Sequence, residues 1–295
     1  MRWSLGSYDI CFKNGQYGML SKFFTYGNTL PTQRSAHSKY GGLFQPTMTE
    51  CIRLLSDPRG GQSSSPQSQA QRTPSMSLPP SDPFSASTLT YSTNGLDSFP
   101  APAAYPSRRH SWLHIFPEGM IHQHPCKTMR YFKWGVARLI LEAEPCPDVL
   151  PMWIDGPQEV MSEKRTFPRP LPRPGKHVEV TFGELVDREG VLEPLRRRWQ
   201  TLKERARRKP GREGWEMMEV DERLGVVDDD FLRYGPEAEK LRIEVTLAVR
   251  NEVLKVRRQR GLPDEDPKRG LAETFKREGP KREGEMADRS VVKDM

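Results

Sequence analysis

The feature that most limits what this chain can fold into is a polar interruption near its middle. From Gly60 to about Ser111 the sequence is rich in Ser, Pro and Gln, as in GGQSSSPQSQAQRTPSMSLPPSDPFSASTLT, and large apolar side chains are sparse. Such a stretch buries too little surface to offset the entropy of ordering its backbone. The apolar segments on either side are each too small to be domains alone. The interruption therefore reads as a disordered insertion into one α/β domain, not as a linker between two folds. On this reading 1–58 and 111–187 are two parts of that domain, 59–110 is the insertion, 188–262 is a helical region and 263–295 is a disordered tail.

Six Trp, twelve Phe and several dense apolar runs exclude a wholly disordered protein. The four cysteines, Cys11, Cys51, Cys126 and Cys146, lie far apart with no CxxC pair, and no secretory apolar leader opens the chain. That favours isolated buried thiols over a disulfide-stapled scaffold. No run approaches the ~18 consecutive apolar residues of a spanning helix. Lys and Arg number 46 against 39 Asp and Glu, a formal charge of +7, which suits anionic partners.

RWSLGSYDICF reads as a short strand between turns, and GMLSKFFTYG as a short helix ending at Gly27. Met48, Ile52 and Leu55 fall at helical spacing before the Asp57-Pro58 stop. SWLHIFPEG is an apolar run broken by Pro-Glu-Gly. A helix is expected over 128–144, with Met129, Phe132, Val136, Leu139 and Ile140 on one face and Pro145 and Pro147 ending it. DVLPMWIDG and KHVEVTFGEL read as strands, the second alternating Val178, Val180 and Phe182, with a Pro/Arg loop between them. Helices are expected over 191–209, with Leu192, Leu195, Trp199 and Leu202 beneath a basic face, and over 236–260, opened by Pro236 and closed by Gly261.

Two segments carry candidate chemistry. FPEG, Phe116 to Gly119, ends an apolar strand, so Glu118 is either a contact for a polar substrate or simply part of a turn. GNTLPTQR places Arg34 in a loop after an apolar helix, as a phosphate ligand or a solvated charge.

The order GNTLPTQR, FPEG, MRYFKWGVARLILEA, VLPMWIDG resembles the tafazzin family, phospholipid acyltransferases of the glycerol-phosphate acyltransferase superfamily. RWSLGSYDICF also looks like the tafazzin segment that follows that family's first motif. The resemblance covers 1–58 and about 111–260. It implies a mixed sheet of five to seven strands flanked by helices, incomplete at the N-terminus here, with a C-terminal helical extension. It implies acyl transfer between a phospholipid and a lysophospholipid, notably monolysocardiolipin, without acyl-CoA, metal or other cofactor. Phe116, Pro117, Glu118 and Gly119 would border the acceptor head group, Arg34 would pair with its phosphate, and Pro151 would mark an apolar strand lining the acyl site. Arg34 and Glu118 are then expected to line one pocket. The location implied is a mitochondrial membrane, attached peripherally on the intermembrane-space side.

The superfamily's first motif, HxxxxD, uses its His as general base on the acceptor hydroxyl and its Asp to orient that His. Five positions after His37, His110, His114, His122, His124 and His177 stand Gly42, Ile115, Gly119, Lys127, Met129 and Phe182. The dyad is absent from these residues. Either an N-terminal part of a longer gene product is missing, or the chain has lost catalysis and is a lipid-binding remnant.

Other clusters read as structural. His122, His124 and Cys126 offer three metal-ligand types within five residues but no second cluster, and a loop lining an entry cleft is the expected role. His110 and His114 read as structural, and Asp228–Asp230 as helix capping. The basic run Arg196–Arg198, Arg205, Arg207, Arg208 and Lys209 fits an anionic membrane surface or the solvated face of a packed helix. Nucleic acid is not expected, since no recognition motif accompanies the run.

Overall fold

The computed structural model describes residues 2–13, 18–56, 90–102, 111–168, 171–208, 224–272, 283–286 and 289–293. Most of the Ser/Pro stretch, together with His110 and Lys209, lies outside the described residues. The chain divides into two compact units: Met1–Ile115 with Arg138–Pro147 and Arg207–Asp229, and Phe116–Ala137 with Asp148–Ala206 and Asp230–Met295.

The first unit opens with strand β1 (Arg2–Ser7), a single turn α1 (Tyr8–Cys11), helix α2 (Met19–Tyr26) and strand β2 (Thr29–Thr32). Helix α3 (Pro46–Leu55) follows, with Pro46 in its first turn, where the missing N–H costs nothing. Strands β3 (Thr90–Tyr91) and β4 (Phe99–Pro100) form a hairpin, and β5 (Trp112–His114) completes the unit's strands. β1 is central in a parallel sheet, with β2 on one side and β5 on the other. The core joins Trp3 and Leu30 of this sheet to Met48, Cys51, Ile52 and Leu54 of α3, with Leu139 and Ala143. Buried Arg138 is fully engaged, paired with Glu142 at 2.6 and 2.7 Å and donating to the carbonyls of Leu43 and Gly225.

The hairpin lies inside the stretch read as an insertion, and its own residues explain its order. Asp97 accepts from the Thr93 N–H and from the Ser92 and Thr93 hydroxyls, closing the turn over Gly95. Phe99, 3% exposed, then packs edge-on against Phe12 at 5.5 Å.

The second unit contains β6 (Ile121–Gln123), and helix α4 (Gly135–Glu142) starts in it. Next come β7 (Met152–Asp155), a turn α5 (Pro157–Val160) and β8 (Glu179–Phe182), which pairs antiparallel with β7. A π-turn at Arg188–Leu192 leads into α6 (Glu193–Arg207), followed by α7 (Asp230–Tyr234) and α8 (Pro236–Gln259). Asp230 opens α7. α8 carries Glu237 and Glu239 in its first turn and Arg257 and Arg258 in its last, matching the helix dipole.

Helix α4 is shorter than its apolar pattern predicts. Met129 and Phe132 are buried as expected but precede it, because tertiary partners take the backbone donors there. The N–H groups of Met129, Arg130 and Lys133 go to Glu265, Glu118 and the Pro117 carbonyl. The tail beyond 263 also differs from expectation: β9 (Glu283–Glu285) and β10 (Val291–Lys293) join β6 in an antiparallel sheet. The architecture is α/β, but the described strands form four sheets of two or three strands instead of one mixed sheet. β5, for example, runs only three residues, and Pro117 follows shortly after with no N–H to extend a ladder. Among the cysteines, Cys51 and Cys146 are buried, Cys11 is half-buried and Cys126 is exposed, so the buried-thiol reading fails for Cys126.

Candidate functional site

Arg34 and its surroundings belong to the first unit. In the parallel register Ser7 faces Thr32, so Asp9 and Arg34 each lie two residues beyond one matched pair, at the carboxyl edge of the sheet. Such edges, where the chain turns to either side of a central strand, are where open α/β sheets bind ligands. Arg34 donates from Nε to Asp9 Oδ1 at 3.1 Å and from Nη2 to Oδ2, a bidentate pair. Burial opposes ionisation of Asp9, but hydrogen bonds from Arg34 and the Ser7 hydroxyl outweigh it and hold its carboxyl below the usual range. The neighbouring backbone is fixed by Gln45, which accepts from the Gln33 N–H at 2.8 Å and donates to the Gln33 carbonyl at 3.1 Å. Arg34 is thus held rigidly by a carboxylate, and any phosphate it binds shares it with Asp9.

FPEG lies in the second unit, directly after Ile115. It is a turn: the Gly119 N–H donates to the Phe116 carbonyl at 3.0 Å, and Gly119 takes φ 65°, a value that disfavours side chains. It is also more than a turn. Phe116 is 63% exposed, and the Pro117 carbonyl is held by the Lys133 N–H at 2.8 Å. The partly buried Glu118 carboxylate accepts from the Arg130 N–H at 2.8 Å and lies 3.9 Å from His122 Nδ1. Burial pushes Glu118 up to about 7, against the opposing pull of Arg130 and Arg250. A carboxyl poised there accepts a hydrogen bond from a hydroxyl when ionised and donates one when protonated.

The segment carrying Arg130 is pinned by a buried ion cluster absent from the sequence reading. Glu265 Oε1 accepts from the Met129 N–H at 2.7 Å and lies 3.2 Å from Arg257 Nε, while Oε2 accepts from Arg250 at 2.7 Å. All three side chains are 5% exposed or less. The guanidiniums also cap the carbonyls of Cys126, Lys127, Met129 and Arg130. Arg250 therefore grips the carbonyl of the residue whose N–H holds Glu118.

Pro151 is buried at the start of β7, and its carbonyl accepts from the Gly183 N–H at 2.9 Å. The apolar face of β8 is outward, with Val178, Val180 and Phe182 exposed. In the HQHPC segment the His122 and His124 rings stack at 5.9 Å, and His124 Nδ1 accepts from the Cys126 N–H at 3.0 Å. Among the described residues no group of three or more His, Cys, Asp or Glu side chains is placed to hold a metal. The basic face of α6 is largely spent on packing: Arg196 is buried, and Arg198 and Arg205 pair with Glu244 and Glu237 of α8. No helix among the described residues is long and apolar enough to cross a membrane.

Comparison with known proteins gives three informative matches, and no protein-family model matches the chain. Tafazzin of Saccharomyces cerevisiae is 32% identical over 282 residues, 91% of this chain and 61% of the yeast protein. Tafazzin of Drosophila melanogaster is 23% identical over 198 residues, 67% of this chain and 35% of its own length. N-acylphosphatidylethanolamine synthase of Arabidopsis thaliana is 29% identical over 188 residues, 63% of this chain and 45% of its own length. The chain therefore spans less than two thirds of these relatives.

Proposed function

Because this chain belongs to the tafazzin family, we propose that it acts in phospholipid remodelling by O-acyl transfer, moving an acyl chain from a phospholipid to a lysophospholipid such as monolysocardiolipin. The acceptor hydroxyl forms the new ester, the donor leaves as a lysophospholipid, and the proton passes from one oxygen to the other; no CoA, metal or other cofactor enters. The reading rests above all on the placement of Glu118, whose partly buried carboxylate is held by the Arg130 N–H on a braced turn within a tafazzin-like sequence.

In this reading Arg34 binds the acceptor phosphate, helped by the orientation Asp9 imposes on its guanidinium. Glu118 hydrogen-bonds a head-group hydroxyl. Gly119 allows close backbone approach, Pro117 fixes the turn, and exposed Phe116 offers an apolar ring to the lipid. Pro151 anchors the strand beside the acyl chain. The setting is a mitochondrial membrane, reached peripherally from the intermembrane space.

A second reading, a lipid-binding protein without transferase activity, is favoured by the histidines, none of which has Asp five positions on. One paired experiment tests both. Binding of monolysocardiolipin in detergent and acyl transfer from labelled phosphatidylcholine are measured on the 295-residue chain, beside a tafazzin that carries the HxxxxD run. The expected result is binding, with transfer slower by about 10²–10⁴ for want of the general base. Absence of lysophospholipid binding refutes both readings, and transfer at the full rate refutes the need for the missing dyad.

A further inference from the structure

Helix α2 is built inside out. Its fully buried residue is Ser21, and Thr25, one turn on, donates its hydroxyl to the Ser21 carbonyl at 2.8 Å. Its large apolar side chains are exposed: Met19 at 89%, Tyr26 at 86%, Phe23 at 70% and Leu20 at 51%. Positions 19, 20, 23 and 26 share one stripe of a 3.6-residue helix, so the exposed side chains form a continuous apolar face. The face is held outward. Phe24 packs on buried Phe12 at 6.2 Å and supports the Phe23 ring edge-on at 5.5 Å. A helix facing only water places its residues the other way round.

We propose that α2 is a membrane-docking element, inserting its Met19–Leu20–Phe23–Tyr26 face into the head-group and upper acyl layer of an anionic lipid bilayer. Two observations favour a bilayer over a protein partner. Four residues at these exposures offer roughly 600 Å², short of the ~800 Å² per partner of a stable protein interface. The flanking charge is basic: Lys13 and Lys22 are exposed, and the acidic residue within 2–27, Asp9, is already paired with Arg34. An apolar helix face rimmed by lysines is the pattern of interfacial helices, and Tyr26 puts a ring with a polar tip at its end. The choice of a bilayer also rests on the acyl-transfer reading, whose substrates reside in membranes.

The test is co-sedimentation of the full chain with phosphatidylcholine vesicles, with and without 20 mol% cardiolipin (a chosen composition, about one lipid in five). The Met19→Ser/Phe23→Ser double variant is expected to weaken partitioning at least ~10-fold. Lys22→Gln is expected to weaken it about five-fold on cardiolipin vesicles alone. Leu96→Ser, which removes an exposed apolar residue on the β3–β4 hairpin, should change nothing. Unchanged urea midpoints show that each variant is folded. Vesicle binding by the double variant equal to wild type overturns the proposal, as does loss of self-association with vesicle binding intact. Lysophospholipid binding in detergent separates the two readings. If it fails in wild type while the double variant still loses vesicle binding, the acyl-transfer reading falls and the docking element stands.

Discussion

Glu265 gives the sharpest consequence of this structure. Its carboxylate, 2% exposed, sits between two guanidiniums that are themselves 5% and 1% exposed, and it accepts the Met129 N–H. Replacing it with Ala leaves two buried cations facing each other across a void and orphans a backbone donor. Breaking a buried ion pair from one side costs about 3–5 kcal/mol. Arg250 and Arg257 keep their carbonyl partners at Arg130, Met129, Lys127 and Cys126, which places the expected loss near the lower end, about 3 kcal/mol. Urea unfolding followed by tryptophan fluorescence is the assay, since Arg257 lies 5.9 Å over the Trp153 ring. The midpoint should fall with the slope unchanged. Adding Arg250→Met to Glu265→Met should cost less than the two singles summed, by about 1–2 kcal/mol, because the second change removes a stranded charge. A Glu265→Ala loss under about 1 kcal/mol, or strict additivity, would refute the idea that this cluster braces the Glu118 turn.

Two other substitutions follow from local geometry. In Gly183→Ala the new methyl would stand 2.5 Å from Val256 Cγ2 and 3.1 Å from Pro151 Cγ, so a loss of about 1–3 kcal/mol is expected; an unchanged urea midpoint would contradict the close packing of Pro151. Glu118 keeps its proton in the folded protein up to about pH 7, whereas a free Glu loses it near 4.5. The folded state binds the extra proton between these values, so ionising Glu118 removes stability as pH rises through that window. Glu118→Gln should therefore gain on wild type between about pH 4.5 and 7 and keep that gain above it; stability curves that stay parallel would place the carboxyl in a more open site.

The sequence made the regular elements legible where period and punctuation agree. α3 follows from Met48, Ile52 and Leu55, and α8 from Pro236 and Gly261. The 128–144 pattern marked the right buried residues but overextended the helix, because carboxylates over a hundred residues away in one case and twelve in another claim its N–H groups. The partner of Arg34 had no signal in spacing. Asp9 meets it only through the parallel register of β1 and β2, which no local pattern encodes. Arg242, Arg250 and Arg257 were not singled out by any motif, yet all are buried on α8. Their separations of eight and seven residues keep them on one side of the helix, flanking the stripe of Leu241, Val245 and Val249, and that repeat was the available clue.

The central proposal is that the braced turn carrying Glu118 holds a phospholipid head group. Monolysocardiolipin affinity in detergent tests it most directly, measured for wild type, Glu118→Gln and Leu96→Ser, the last on the exposed β3–β4 hairpin. Glu118→Gln is expected to weaken binding about 10-fold, as the loss of a hydrogen bond to a charged group does, and Leu96→Ser to leave it unchanged. Unchanged affinity in Glu118→Gln would contradict the proposal.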